Sequence, residues 1–177
     1  VNVQTEHYCS ISPNTIESYL VRDNYMAENI AWLMENGPQH GKMVVWTHNS
    51  HAGNREMPPG YINMGAHLRK KYGHGMKNIG FSFYGGWFNA ISPNASVLRN
   101  KPQVYRAPAL PERSYEEYFQ SLSLSTAIIN LSMLKSSLPT SHSFPNRGYL
   151  RSIGSVYLED HPEQFFYETN LAEEFDL

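Results

Sequence analysis

One stretch restricts the fold of this chain more than any other: Lys42-Met43-Val44-Val45-Trp46-Thr47-His48-Asn49-Ser50-His51. It starts as an unbroken apolar run and ends in two histidines three positions apart. A run with no outward polar position predicts a strand over about 42–47 that is covered on both faces. Strands of that kind belong to parallel sheets with helices above and below. In open α/β sheets ligands bind beyond the carboxyl ends of the strands. His48, Asn49 and His51 would stand just past that end, where such proteins carry their chemistry.

The flanking sequence supplies the helices. Ser12-Pro13-Asn14-Thr15 reads as a helix entry, and helical spacing continues to Asn36, where Gly37-Pro38 stops it. Arg22, Met26, Asn29 and Leu33 fall on one stripe with Ile30 beside it. An arginine on a coreward stripe needs an acceptor. It either snorkels at the helix start or reaches a carboxylate or a substrate oxygen. A second helix is expected over Met64–Tyr72, capped by Asn63 and closed by Gly73, with His67, Lys70 and Lys71 solvated. A third is expected over Tyr115–Leu122, with Ser114 as cap and Glu117 at the capping-box position.

Further strands are predicted at 78–84 and 127–131, with extended segments at 103–107 and 150–158. Gly85-Gly86 follows the first of these, and paired glycines there allow a ligand to approach the backbone. Tyr84, Trp87 and Phe88 would flank that spot, as cavity walls or as plain packing. Loops are expected at 54–60, where Pro58-Pro59-Gly60 could form a flap, at 91–101 and at 139–148. The order of elements predicts an α/β fold, a mainly parallel sheet flanked by helices, in a single domain over 1–177. The chain reads as the C-terminal part of a longer protein. It enters a helix with no preceding strand, and it stops as an apolar stretch begins at Glu173–Leu177.

Several chemistries drop out. The one cysteine, Cys9, excludes an intramolecular disulfide and a multi-cysteine metal site, and fits a reducing, cytoplasmic compartment. A net charge of −2 offers no basic surface for nucleic acid. No apolar run approaches the roughly 18 residues that span a membrane. The phosphate-cradling glycine loop, the dinucleotide fingerprint and the G-x-S-x-G elbow are all missing. The histidine pair leaves three readings open. His48 and His51 could act as base and acid, could be two ligands of a metal lacking a third, or could be surface residues. A metal-dependent hydrolase is therefore one alternative. A non-catalytic protein that holds a saccharide or macrocycle in the aromatic cleft near Tyr84 and Trp87 is another.

Four segments in order, Val21–Leu33, Val44–His51, Met64–Arg69 and Ile79–Gly86, resemble the erythromycin esterase family, which includes proteins labelled as succinoglycan biosynthesis proteins. Arg113-Ser114-Tyr115-Glu116 and Arg151–Tyr157 resemble its weaker C-terminal motifs. The resemblance implies an α/β fold with helical insertions. It also implies water-mediated hydrolysis of an ester or lactone, the lactone of a macrolide in the known resistance enzymes, with no cofactor and no metal. By that match His48 and His51 bind and polarise substrate or water, and Arg22 holds the site's carboxylates or an oxyanion. Asn49, Met64, Tyr84 and Trp87 then line the substrate site. The family's general base sits in an N-terminal Gly-Glu…His-Gly motif that does not occur here. The implied partners are a small ester or lactone and the N-terminal segment that carries that motif.

Overall fold

The structure, a computed structural model, describes residues 16–38, 41–57, 60–92, 101–123, 125–133 and 144–177. The chain divides into two units, 1–80 and 81–177.

In the first unit, helix α1 spans Ile16–Asn36, as the spacing predicts; the entry turn Ser12–Thr15 lies outside the described residues. Gly37 follows it, where a side chain would meet the Leu33 carbonyl oxygen at 2.7 Å. The coreward stripe is one position away from the expected one. Asp23, Ala27 and Ala31 are buried, whereas Asn29 and Leu33 face solvent. Two alanines a turn apart leave room for a second helix to come close. That helix is α3, Met64–Tyr72. Ala27, Met64 and Leu68 form the core, with Met26, Ile30, Tyr72 and Met76 against it. Truncating a buried leucine of this kind costs about 2–5 kcal/mol.

Asn63 caps α3 by accepting from the Ala66 N–H at 3.1 Å. Gly73 closes the helix at φ +52°. Between α1 and α3 lie the short helix α2, Asn49–Ala52, and two antiparallel strands, β1 Glu56–Met57 and β2 Tyr61–Ile62. The stretch expected to be all loop, 54–60, therefore carries β1, while Pro58 and Pro59 lie outside the described residues.

The covered strand expected over 42–47 is not formed. The segment belongs to no strand or helix, with Val44 90% and Trp46 82% exposed. An apolar run reports what its side chains prefer, not what lies over them.

Among the described residues the second unit has two antiparallel pairs. Strand β3, Trp87–Ala90, pairs with β4, Gln103–Arg106, in the register Trp87↔Arg106 to Ala90↔Gln103. Side chains alternate along β3, with Trp87 and Asn89 outward and Ala90 buried, as a strand with one covered face requires. Strand β5, Gly148–Arg151, pairs with β6, Phe166–Thr169. Helix α4 spans Tyr115–Ser121, and Ser114 accepts from the Glu117 N–H at 3.3 Å as its cap. A short helix α5, Leu171–Glu174, follows β6.

Tyr115, Leu131, Leu150, Leu171 and Phe175 form one core cluster. Ala90, Tyr105 and Tyr157 form another, where Phe88 meets Tyr157 edge-on at 4.9 Å. Tyrosine here is largely a packing residue with a polar end. Tyr115, for example, donates to the Thr169 carbonyl at 2.9 Å and accepts from the Leu171 N–H at 3.2 Å.

The mainly parallel sheet is thus overturned. Every strand pair is antiparallel, and the three sheets have two strands each among the described residues. Neither 78–84 nor 127–131 is a strand, and Ile128 is 88% exposed. Of 150–158 only the start belongs to β5, with Val156 making a single bridge to Ile91. The segment at 103–107 is borne out as β4. Among the described residues no helix is long and apolar enough to cross a membrane.

Candidate active site

Two neighbouring residues of α1 clamp one histidine. Asp23 is fully buried. Its Oδ1 stands 2.6 Å from His51 Nδ1. The other oxygen, Oδ2, accepts from the Met64 N–H at 3.1 Å and from the Tyr61 hydroxyl at 3.4 Å. The Met64 amide is the first of α3, one that no helical carbonyl can satisfy. A carboxylate there also meets the positive end of the helix dipole. A buried charge thus has a donor on each oxygen. On the far side of the ring, Arg22 Nη2 donates to His51 Nε2 at 3.0 Å, and its guanidinium lies over the Tyr19 ring at 4.9 Å. Arg22 Nε is buried with no hydrogen-bond partner among the described residues.

These contacts fix the tautomer of His51. A nitrogen facing a carboxylate carries the proton, and one facing a guanidinium N–H is the acceptor. His51 therefore has its proton on Nδ1 and its lone pair on Nε2. His48 is the reverse. It caps α2, and its Nδ1 accepts from the Ser50 N–H at 3.2 Å and from the Ser50 hydroxyl at 2.8 Å. That leaves Nε2 as the proton-bearing nitrogen. The His-x-x-His pair thus holds one ring ready to take a proton and one ready to give a hydrogen bond.

The turn carrying both histidines is tied down by Asn63. Its Nδ2 donates to the Ser50 carbonyl at 3.0 Å, while Oδ1 accepts from the Arg55 N–H at 3.1 Å besides capping α3. One fully buried side chain joins α2, the start of the β1–β2 segment and α3. Tyr61 completes the surroundings of Asp23. Burial, and then the Asp23 carboxylate, push its hydroxyl pKa up to about 12.

Of the residues expected from sequence, Arg22 and His51 come together, with His48 on the same turn. Asn49 is buried as the first residue of α2. Met64 contributes its amide to Asp23, while its side chain belongs to the core. Tyr84 and Trp87 belong to the second unit, where Tyr84 lines a cavity and Trp87 is an exposed residue of β3. Asp23 and Tyr61 were not anticipated. The available signal was the stripe Asp23–Ala27–Ala31, which puts an acid on a coreward face where only a paired charge is tolerated. Among the described residues no group of three His, Cys, Asp or Glu side chains could hold a metal ion.

Fold and site together define a protein of mixed helices and small antiparallel sheets with a histidine–carboxylate centre. The chain belongs to the erythromycin esterase family, whose model matches residues 1–177, the whole chain. It is also similar to a Bacillus cereus protein of known crystal structure, with a TM-score of 0.76 and 23% identity. That likeness, which shows the fold, covers 98% of this chain and 40% of the Bacillus protein. The chain therefore spans about two fifths of the length of that relative.

Proposed function

We propose that this chain carries the histidine side of an ester-hydrolysing site. His51, oriented by Asp23, takes the proton of a water that attacks the carbonyl carbon of an ester or lactone. His48 and Arg22 donate hydrogen bonds to the oxygen on which negative charge develops. The C–O bond then breaks, and the proton passes to the departing alkoxide, giving an acid and an alcohol. Arg22 would move from Nε2 of His51 toward the substrate oxygen as water enters, and its unpartnered Nε provides a second donor. In the first unit, Asn49 and Met64 remain the residues we assign to the substrate side. We take the 177 residues as the C-terminal part of a larger single domain. The part of the family's fold outside them would contribute a further base, a reading supported by the two-fifths coverage of the Bacillus relative.

The observation that carries this reading is the Asp23–His51–Arg22 array, with a buried carboxylate 2.6 Å from the ring. The test is turnover of p-nitrophenyl esters and simple lactones by the natural protein and its variants. His51→Ala and Asp23→Asn should each lower kcat by about 10²-fold or more, the usual contribution of a positioned base. Asp23→Asn should do so with KM little changed. Equal rates in wild type and His51→Ala would overturn the assignment.

A further inference from the structure

The segment that leads into the histidine turn has two unlike faces. Met43 and Val45 are 38% and 41% exposed, whereas Val44 and Trp46 are 90% and 82% exposed. Alternation with a period of two is what a strand shows when one face turns to its own core and the other is bare. The segment belongs to no strand or helix, yet its side chains already stand as those of a strand would. A strand meant to face water is guarded by lysine, proline or a bulge. From Met43 to Thr47 there is neither a charge nor a proline. Valine and tryptophan at successive outward positions, with no charge between them, have the composition of a permanent interface.

The second unit, taken by itself, repeats the pattern. Ile129 and Leu131 pack in the Tyr115 cluster, while Ile128 between Ala127 and Ile129 is 88% exposed. Apolar surface of this kind marks a place where further protein lies. The length of the relative says which protein. The Bacillus structure matches 98% of this chain, and about three fifths of the Bacillus protein has no counterpart in it.

We propose that the outward face of residues 42–47 is the docking surface for the portion of the family's fold that precedes this chain. Val44 and Trp46 are buried under that portion in the natural protein. The inference rests on the reading above that takes the 177 residues as the C-terminal part of a larger domain, and not on ester hydrolysis. It also says where the two portions meet relative to the site. Trp46 stands two residues before His48, the cap of α2, so chain lying over Trp46 is brought to the histidine turn.

The test uses the natural protein, the whole product of its reading frame. Hydrogen exchange read by mass spectrometry should show the amides of residues 43–46 exchanging about 10²-fold or more slower than in a free peptide. Val44→benzoylphenylalanine should, on irradiation, cross-link within one polypeptide to residues that precede Val1. The exchange measurement is made on the unsubstituted protein, so it stands whether or not the larger side chain is accepted. Free-peptide exchange at 43–46 overturns the proposal. So do cross-links confined to the 177 residues, and so does a cross-linked dimer whose protection falls on dilution, which puts a second copy on this face. A natural polypeptide that begins at Val1 overturns it too. Neither measurement reads turnover. Protected amides without ester hydrolysis would sink the hydrolase reading alone, and hydrolysis with free-peptide exchange would sink the docking surface alone.

Discussion

Asp23 shows how much one residue can organise. Its two oxygens meet a histidine, a helix-initiating amide and a phenol, so that each oxygen of a buried charge has a hydrogen-bond donor. Tyr61 reports on this arrangement. Its ordinary pKa near 10 rises to about 12 in the fold, so the native state holds the phenolic proton more tightly than the unfolded chain does. The associated stability is complete below pH 10 and is lost as pH rises toward 12. Wild type should therefore lose more stability than Tyr61→Phe between pH 9 and 12, measured by urea midpoints across that range. Parallel curves for the two would show that the phenol is not coupled to Asp23.

At the scale of elements, the histidine turn depends on close approach. Gly65, on the first turn of α3, packs under α2 so closely that an added Cβ would overlap the carbonyl oxygens of Ala52 and Gly53. Both obstacles are backbone, so neither can swing aside. Gly65→Ala should destabilise the first unit by about 3 kcal/mol or more and separate His51 from Asp23. Gly75→Ala, which meets nothing within 4 Å, is the matched control and should be neutral or slightly stabilising. Thermal and urea unfolding of the pair read the difference. The helices themselves were legible because their signals are local: helical spacing in α1, Asn63 before α3, Ser114 before α4. The coreward face of α1 was misjudged because Met26 and Leu33 are more apolar than Ala27 and Ala31. Packing selected the smaller residues for the contact, and Leu33 stayed outside.

On the scale of the molecule, the apolar runs that suggested a parallel sheet carry exposed side chains. Val44 and Ile128 are the extreme cases, each about nine tenths exposed. Surface of this kind binds hydrophobic dyes and promotes association. Val44→Ser and Ile128→Ser together should reduce dye binding by this chain several-fold while changing its stability by less than about 0.5 kcal/mol. A large loss of stability would mean that these side chains are packed after all.

Taken by itself, the sequence determined the positions and ends of the long helices, the His-x-x-His pair as the candidate centre, and the family. These follow from residues close together along the chain: caps, spacing and ordered motifs. Which strands pair, which face of α1 is buried, which acid serves His51 and which nitrogen of each ring bears the proton were decided by tertiary structure. Each of those depends on groups brought together from distant positions, as Asp23 and His51 are across 28 residues. No local preference specifies such a meeting; it follows only when the assembled core brings the partners of a buried charge within reach.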